Sequence, residues 1–115
     1  MDFSQDLVRG SVVPIVLSLL RERAMYGYEL VKVVNARTNG RLEWKEGTLY
    51  PTLHQLEARG LVRGQWADAP ATEAPGRRRK YYSITPRGKA ELARRSEEWR
   101  QFTQAVNACL FGGTI

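Results

Sequence analysis

Glu46-Gly47-Thr48-Leu49-Tyr50-Pro51-Thr52-Leu53-His54-Gln55-Leu56-Glu57 is the stretch that most constrains how this chain can fold. Leu49, Leu53 and Leu56 recur at helical spacing and make one apolar stripe. Tyr50, Thr52, His54 and Gln55 point elsewhere, onto a face that no core would use. They are hydrogen-bonding side chains without a full formal charge, the kind that can reach base edges. Further on, Gly76-Arg77-Arg78-Arg79-Lys80-Tyr81-Tyr82 sets four adjacent cations at the start of an aromatic strand. A helix with a free polar face, followed by a basic hairpin, is the element order of a winged helix-turn-helix.

The chain has 115 residues, enough for one domain with a thin core that a partner chain would complete. Its net charge of +6 is not evenly spread. From position 59 to position 95 there are ten lysines and arginines against three acids, so the remainder is close to neutral. A basic segment this concentrated is the electrostatic footprint of a polyanion binder, with bare solubility as the plainer alternative. One cysteine, Cys109, excludes an intrachain disulfide. With no signal-like N-terminus, the expected setting is a reducing cytoplasm. The most apolar run, residues 12–20, is interrupted by Pro14 and Ser18 and is too short to cross a bilayer.

The pattern predicts a first helix over residues 11–23, capped by Ser11 with Pro14 in its first turn. Residues 3–9 can add a further turn, and residues 24–27 form a tight connection. A second helix over 26–38 ends at Asn39-Gly40. A third, capped by Thr48, runs over 48–59 and stops at Gly60. Residues 61–67 and 79–85 read as two strands of a hairpin, joined by a mobile loop over 69–76. Thr85-Pro86 starts a last helix that reaches Phe111, and residues 112–115 read as a frayed tail. Leu92, Trp99 and Val106 are seven apart, with Phe102, Cys109 and Leu110 beside them. That is more apolar surface than a terminal helix of a small domain can hide, and it reads as a packing seam for another chain. Folding back on the first helix of its own chain is the alternative. The expected fold is mainly α with a small β-hairpin: a winged helix-turn-helix over 1–85 and a C-terminal dimerisation helix and tail over 86–115, in one compact unit.

Five pieces of the chain carry a family resemblance. They are Tyr26-Gly27-Tyr28-Glu29-Leu30, Gly47-Thr48-Leu49-Tyr50-Pro51, Leu53-His54-Gln55-Leu56-Glu57 with Gly60-Leu61-Val62, the basic run, and Thr85-Pro86-Arg87-Gly88. In this order and at this compact spacing the chain resembles the PadR family of transcriptional regulators, in its short form with a single C-terminal helix. The resemblance implies a homodimeric repressor of operator DNA. Its third helix would enter the major groove, its wing would touch the backbone or minor groove, and its last helix would pair with the partner's first. In several short members a small aromatic or cationic effector binds at the dimer interface, where Trp99 can face its own copy.

The N-terminal part of a recognition helix meets base edges. That nominates Thr48, Tyr50 and Thr52, with Lys45 just before them. His54 and Gln55, one turn on, can reach a base or phosphate, and glutamine is well shaped for adenine. The competing role for Tyr50 is packing on the second helix or the linker, and for His54 simple solvation. In the wing, Arg77, Arg78, Arg79 and Lys80 are candidates for phosphate or minor-groove contact. Strand alternation lets about half of them face DNA together, with Arg77, Arg78 and Lys80 favoured. Leu92, Trp99, Phe102, Val106 and Leu110 are the candidate dimer and ligand residues. For Trp99, interface packing competes with ligand stacking. Cys109 is expected to be buried. One histidine and one cysteine make no closed metal site. No phosphate loop, nucleophile elbow or acid/base pair supports an enzyme, and no cofactor is expected. A winged helix that binds protein, and a nonspecific or RNA-binding protein, are the competing functions.

Overall fold

The computed structural model describes residues 3–70, 72 and 76–112. Its elements are α1 (Gln5–Arg9), α2 (Val12–Glu22), β1 (Met25–Tyr26), α3 (Gly27–Arg37), α4 (Glu46–Ala58), β2 (Val62–Asp68), β3 (Arg78–Ile84) and α5 (Pro86–Leu110). The helices and the wing hairpin lie where the apolar spacing puts them.

Two of the expected helix caps are corrected. Ser11 does not cap α2. Its backbone is helical and its hydroxyl donates to the Val8 carbonyl at 2.7 Å, so it closes α1 instead. Residues 5–9 therefore form a separate short helix, capped by Ser4. Thr48 does not cap α4 either. The extended residue before the helix is Lys45, and the chain is already helical at Glu46, whose carboxylate suits the positive end of the helix dipole. The stop after α3 is as expected: Asn39 and Gly40 both have positive φ, and the Gly40 N–H donates to the Asn35 carbonyl at 2.8 Å.

The sheet has a third strand that the sequence reading missed. Met25-Tyr26, expected as a plain connection, pairs antiparallel with β3, giving the order β1-β3-β2. Met25 lies opposite Tyr82 and Tyr26 opposite Tyr81. The hairpin register runs from Val62 opposite Ile84 to Asp68 opposite Arg78. The Ala69 N–H donates to the Arg77 carbonyl at 2.7 Å and closes the start of the loop. Of the expected mobile loop and frayed tail, residues 71, 73–75 and 113–115 lie outside the described residues.

The core joins α2, α3, α4 and the sheet. Val16, Leu17, Met25, Leu30, Leu49, Leu53, Leu56, Val62 and Tyr82 are all fully buried. Thr85 welds α5 to this core. Its hydroxyl donates to the Gly60 carbonyl at 2.7 Å and accepts the Gly88 N–H at 3.0 Å. Gly88 passes so close to the preceding turn that a Cβ there would sit 2.0 Å from the Leu61 carbonyl oxygen.

The first turns of α5 pack on α2 and bury Leu92. Leu92, expected in a packing seam for another chain, is a core residue of its own chain, because the start of the apolar stripe lies against the body of the domain. Beyond it α5 runs on with little cover. Trp99, Phe102, Leu110 and Phe111 are exposed, and Val106 is half-buried. Cys109, expected to be buried, is exposed as well.

Candidate nucleic-acid interface

Helix α4 turns Leu49, Leu53 and Leu56 into the core. At about 3.6 residues per turn, Gly47, Pro51 and His54 fall on the opposite line, outermost and exposed. The expected reading residues divide between the two flanks. Thr48, Thr52 and Gln55 line a concavity shared with α1 and the linker between α3 and α4 (residues 38–45), as does Lys45. Tyr50 lies on the other flank, towards the wing.

Tyr50 is 37% exposed, and its ring lies against Gly27 at the start of α3. A Cβ at Gly27 would stand 2.7 Å from the Tyr50 hydroxyl, so only glycine lets the ring settle there. Burial, reinforced by Glu46, pushes the Tyr50 phenol above its ordinary range, and Arg77 opposes this. At neutral pH the phenol is therefore a neutral donor on the edge of the polar face of α4.

The four wing cations have different surroundings. The Arg78 guanidinium stands 5.9 Å from the Trp66 ring, and that of Arg79 only 4.2 Å from the Tyr26 ring. Lys80, opposite Trp66 in the hairpin, donates to Glu57 of α4 at 3.0 Å. Arg77 is exposed at the end of the loop. With Tyr28, Lys32 and Tyr50 they line an open concavity of about 620 Å³. Tyr28, Lys32 and Trp66 escaped the sequence reading. The signal for the first two was their spacing of four on one helix, with the Lys32 ammonium 5.6 Å from the Tyr28 ring. Trp66 needed the hairpin register before its proximity to the basic run was visible.

Glu57 ties the wing to α4. Its carboxylate accepts from Lys80 and, at 3.0 Å, from the Gly64 N–H of β2. Those two bonds, that of Lys80 first, hold the carboxyl below the ordinary glutamate range. Its partner Lys80 is raised, chiefly by the same bond. Gly64 leaves room for the lysine: a Cβ there would lie 2.3 Å from Lys80 Cε.

On the far side, Trp99 lines a smaller concavity of about 420 Å³ with Pro14, Ile15, Leu19, Val34 and Ser96. Among the described residues no group of three or more His, Cys, Asp or Glu side chains could hold a metal ion. No helix among them is long and apolar enough to cross a membrane.

A three-helix core, a basic two-stranded wing and a helix with a free polar face between them define a winged helix-turn-helix DNA-binding protein. The transcriptional regulator PadR-like family matches residues 16–94, more than half of the chain. The chain is 34% identical over 107 residues to an uncharacterised protein of Lysinibacillus sphaericus, covering 93% of this chain and 94% of that one. It is 48% identical over 66 residues to a transcriptional regulator of Mycobacterium tuberculosis, a match spanning 57% of this chain and 54% of that protein. Among solved structures, a transcriptional regulator from Clostridium thermocellum superposes with a TM-score of 0.83 at 34% identity, covering 94% of this chain and 98% of that one. A PadR family transcriptional regulator from Eggerthella lenta gives 0.79 at 33% identity, covering 92% and 87%. The chain belongs to the PadR-like family of transcriptional regulators, a family of DNA-binding regulators and not of enzymes.

Proposed function

We propose that this regulator is a homodimeric repressor that reads operator DNA with α4 and grips the flanking backbone with its wing. The observation that carries this is the exposed polar face of α4 standing between wing cations on one flank and hydroxyl and amide side chains on the other. Thr48, Tyr50, Thr52, His54 and Gln55 are the reading residues, and Arg77 and Arg78 the leading backbone contacts. Arg79 stands in front of Tyr26 and stays a candidate. Lys80 is better described as a strut, since Glu57 already occupies it.

In this reading residues 1–85 form the DNA-reading unit and residues 86–115 the dimerisation element. The bare outer half of α5 supports the second part. Trp99, Phe102 and Leu110 would pack on a second copy, with Val106 between them. A C2 pair would set two α4 helices on one DNA face, one helical turn apart. A small aromatic or cationic effector would sit between the two Trp99 rings and change the separation of the reading helices. The setting of such a regulator is the cytoplasm.

The test is fluorescence-anisotropy titration with the DNA upstream of its own gene, against scrambled duplex of equal length, across a salt series. The proposal expects tight binding with a clear preference for the upstream DNA and a steep loss with salt. Equal affinity for both duplexes would leave a nonspecific binder. No binding even at low salt would favour a protein-interaction module.

A further inference from the structure

The acids and bases of this chain are sorted in space. Glu22, Glu29, Glu91 and Glu97 each pair with an arginine on α2, α3, α5 or a neighbouring turn. Around α4 the pattern is different. On the flank away from the wing, a concavity of about 450 Å³ opens between α1, the linker and the Thr48, Thr52, Gln55 row of α4. Among the described residues, three cations, Arg9, Arg41 and Lys45, line it against a single carboxylate, Glu43. Among the described residues neither Arg41 nor Lys45 has an acid within 4.0 Å. Arg9 meets only Asp6, at 3.9 Å with both side chains at least three-quarters exposed, a pair worth almost nothing in water. The Arg41 guanidinium stands 5.0 Å from the Phe3 ring, a contact that favours one placement without using up its charge.

We propose that Arg9, Arg41 and Lys45 form a second phosphate-binding cluster, gripping the DNA strand opposite to the one held by the wing. The inference rests on the reading of α4 as the groove helix. A helix about 10–12 Å across fills a major groove about 12 Å wide, so each of its flanks faces a different backbone. The wing serves one flank. The other carries this weakly paired positive cluster, beside the Thr48, Thr52, Gln55 row of α4. Lys45 contributes as the residue directly before α4 and Arg41 from the turn between α3 and α4, while Arg9 comes from α1, an element outside the helix-turn-helix and wing. Positive charge on both flanks centres the helix in the groove and makes the short element α1 part of the DNA-binding surface.

The test compares the full chain with the double variant Arg9→Gln, Arg41→Gln by anisotropy on upstream and scrambled duplexes over a salt series. Both positions are exposed, so the fold should hold, and circular dichroism checks this. Each lost phosphate contact removes about 0.9 from the slope of log affinity against log salt. The double variant should therefore lose about two from the slope per protomer engaged, and weaken on both duplexes alike. Arg9→Lys, Arg41→Lys should keep the slope, and Arg100→Gln, on the outer half of α5, should change nothing. An unchanged slope in the glutamine variant, with the wild type still binding, overturns the second cluster and leaves the wing as the backbone grip. Loss of sequence preference at constant slope also overturns it, because the cations would then be reading bases. Failure of the wild type to bind either duplex overturns the DNA-reading proposal itself, and this cluster with it.

Discussion

Gly88 and Gly27 show how a single hydrogen in place of a side chain can fix a larger geometry. At Gly88 the obstacle to a Cβ is a backbone carbonyl, which cannot swing aside. Gly88→Ala should cost about 1–3 kcal/mol, lowering the thermal midpoint by several degrees in a melt followed by circular dichroism. Gly10→Ala is the control: its φ is −70° and nothing lies within 4 Å of a new Cβ, so the midpoint should hold or rise slightly. At Gly27 the obstacle is the Tyr50 ring, which can move. Gly27→Ala should weaken operator binding more than it weakens the fold, and in a Tyr50→Ala background it should have little effect on affinity. A double-mutant cycle reads that coupling, and additive losses would sever Gly27 from the reading face. Both glycines stood inside legible motifs. Their reasons were not legible, because each depends on a neighbour brought close only by the fold.

The elements differ in how plainly the sequence announced them. α2, α4 and α5 followed from apolar spacing, and the turn after α3 from Asn39-Gly40, because those signals are local. β1 stayed hidden: two residues cannot show alternation, and its pairing with β3 joins positions far apart in sequence. The Glu57–Lys80 strut was invisible for the same reason, and Lys80 was counted among free wing cations. Glu57→Ala should leave α4 and the wing folded but loosely coupled. Operator affinity should fall about two- to fivefold, the scale of a partly exposed hydrogen-bonded pair. The strut also has a defined pH range. Because the Glu57 carboxyl is depressed in the fold, its contribution is complete above the ordinary glutamate value of about 4.3 and is lost as pH falls through the lower folded value. Lys80 is raised, so its contribution is complete below its ordinary value of about 10.4 and is lost as pH rises through the higher one. Glu91, held down at about 2 by Arg94 and Arg95, should lose its contribution as pH falls from about 4.3 towards 2. Melting between pH 2 and 6 should show wild-type stability falling in that range, with a shallower fall in Glu91→Gln.

At the scale of the whole molecule the shape itself argues for a partner. The chain extends over 57 × 33 × 21 Å, long because α5 has 25 residues and its outer half is largely exposed. A helix end carrying apolar side chains into water gains little from its own propensity, and most helical stability comes from packing one face. Phe102 at 62% exposed and Leu110 at 68% leave most of their surface uncovered by the described residues of the protomer. Fully burying one such side chain is worth about 1.5–3 kcal/mol, so a symmetric pair of these helices would recover several such contributions at once. Phe102→Glu places a charge in that seam, where a second copy would have to desolvate it beside its twin. The variant should sediment as a monomer under conditions where the wild type sediments as a dimer. Since Phe102 lies on α5 and away from α4, any loss of DNA affinity must come from losing the second reading helix. Operator affinity should therefore fall steeply while the weak affinity for scrambled duplex changes little. A dimeric Phe102→Glu variant with full operator affinity would show that the outer half of α5 is not the seam.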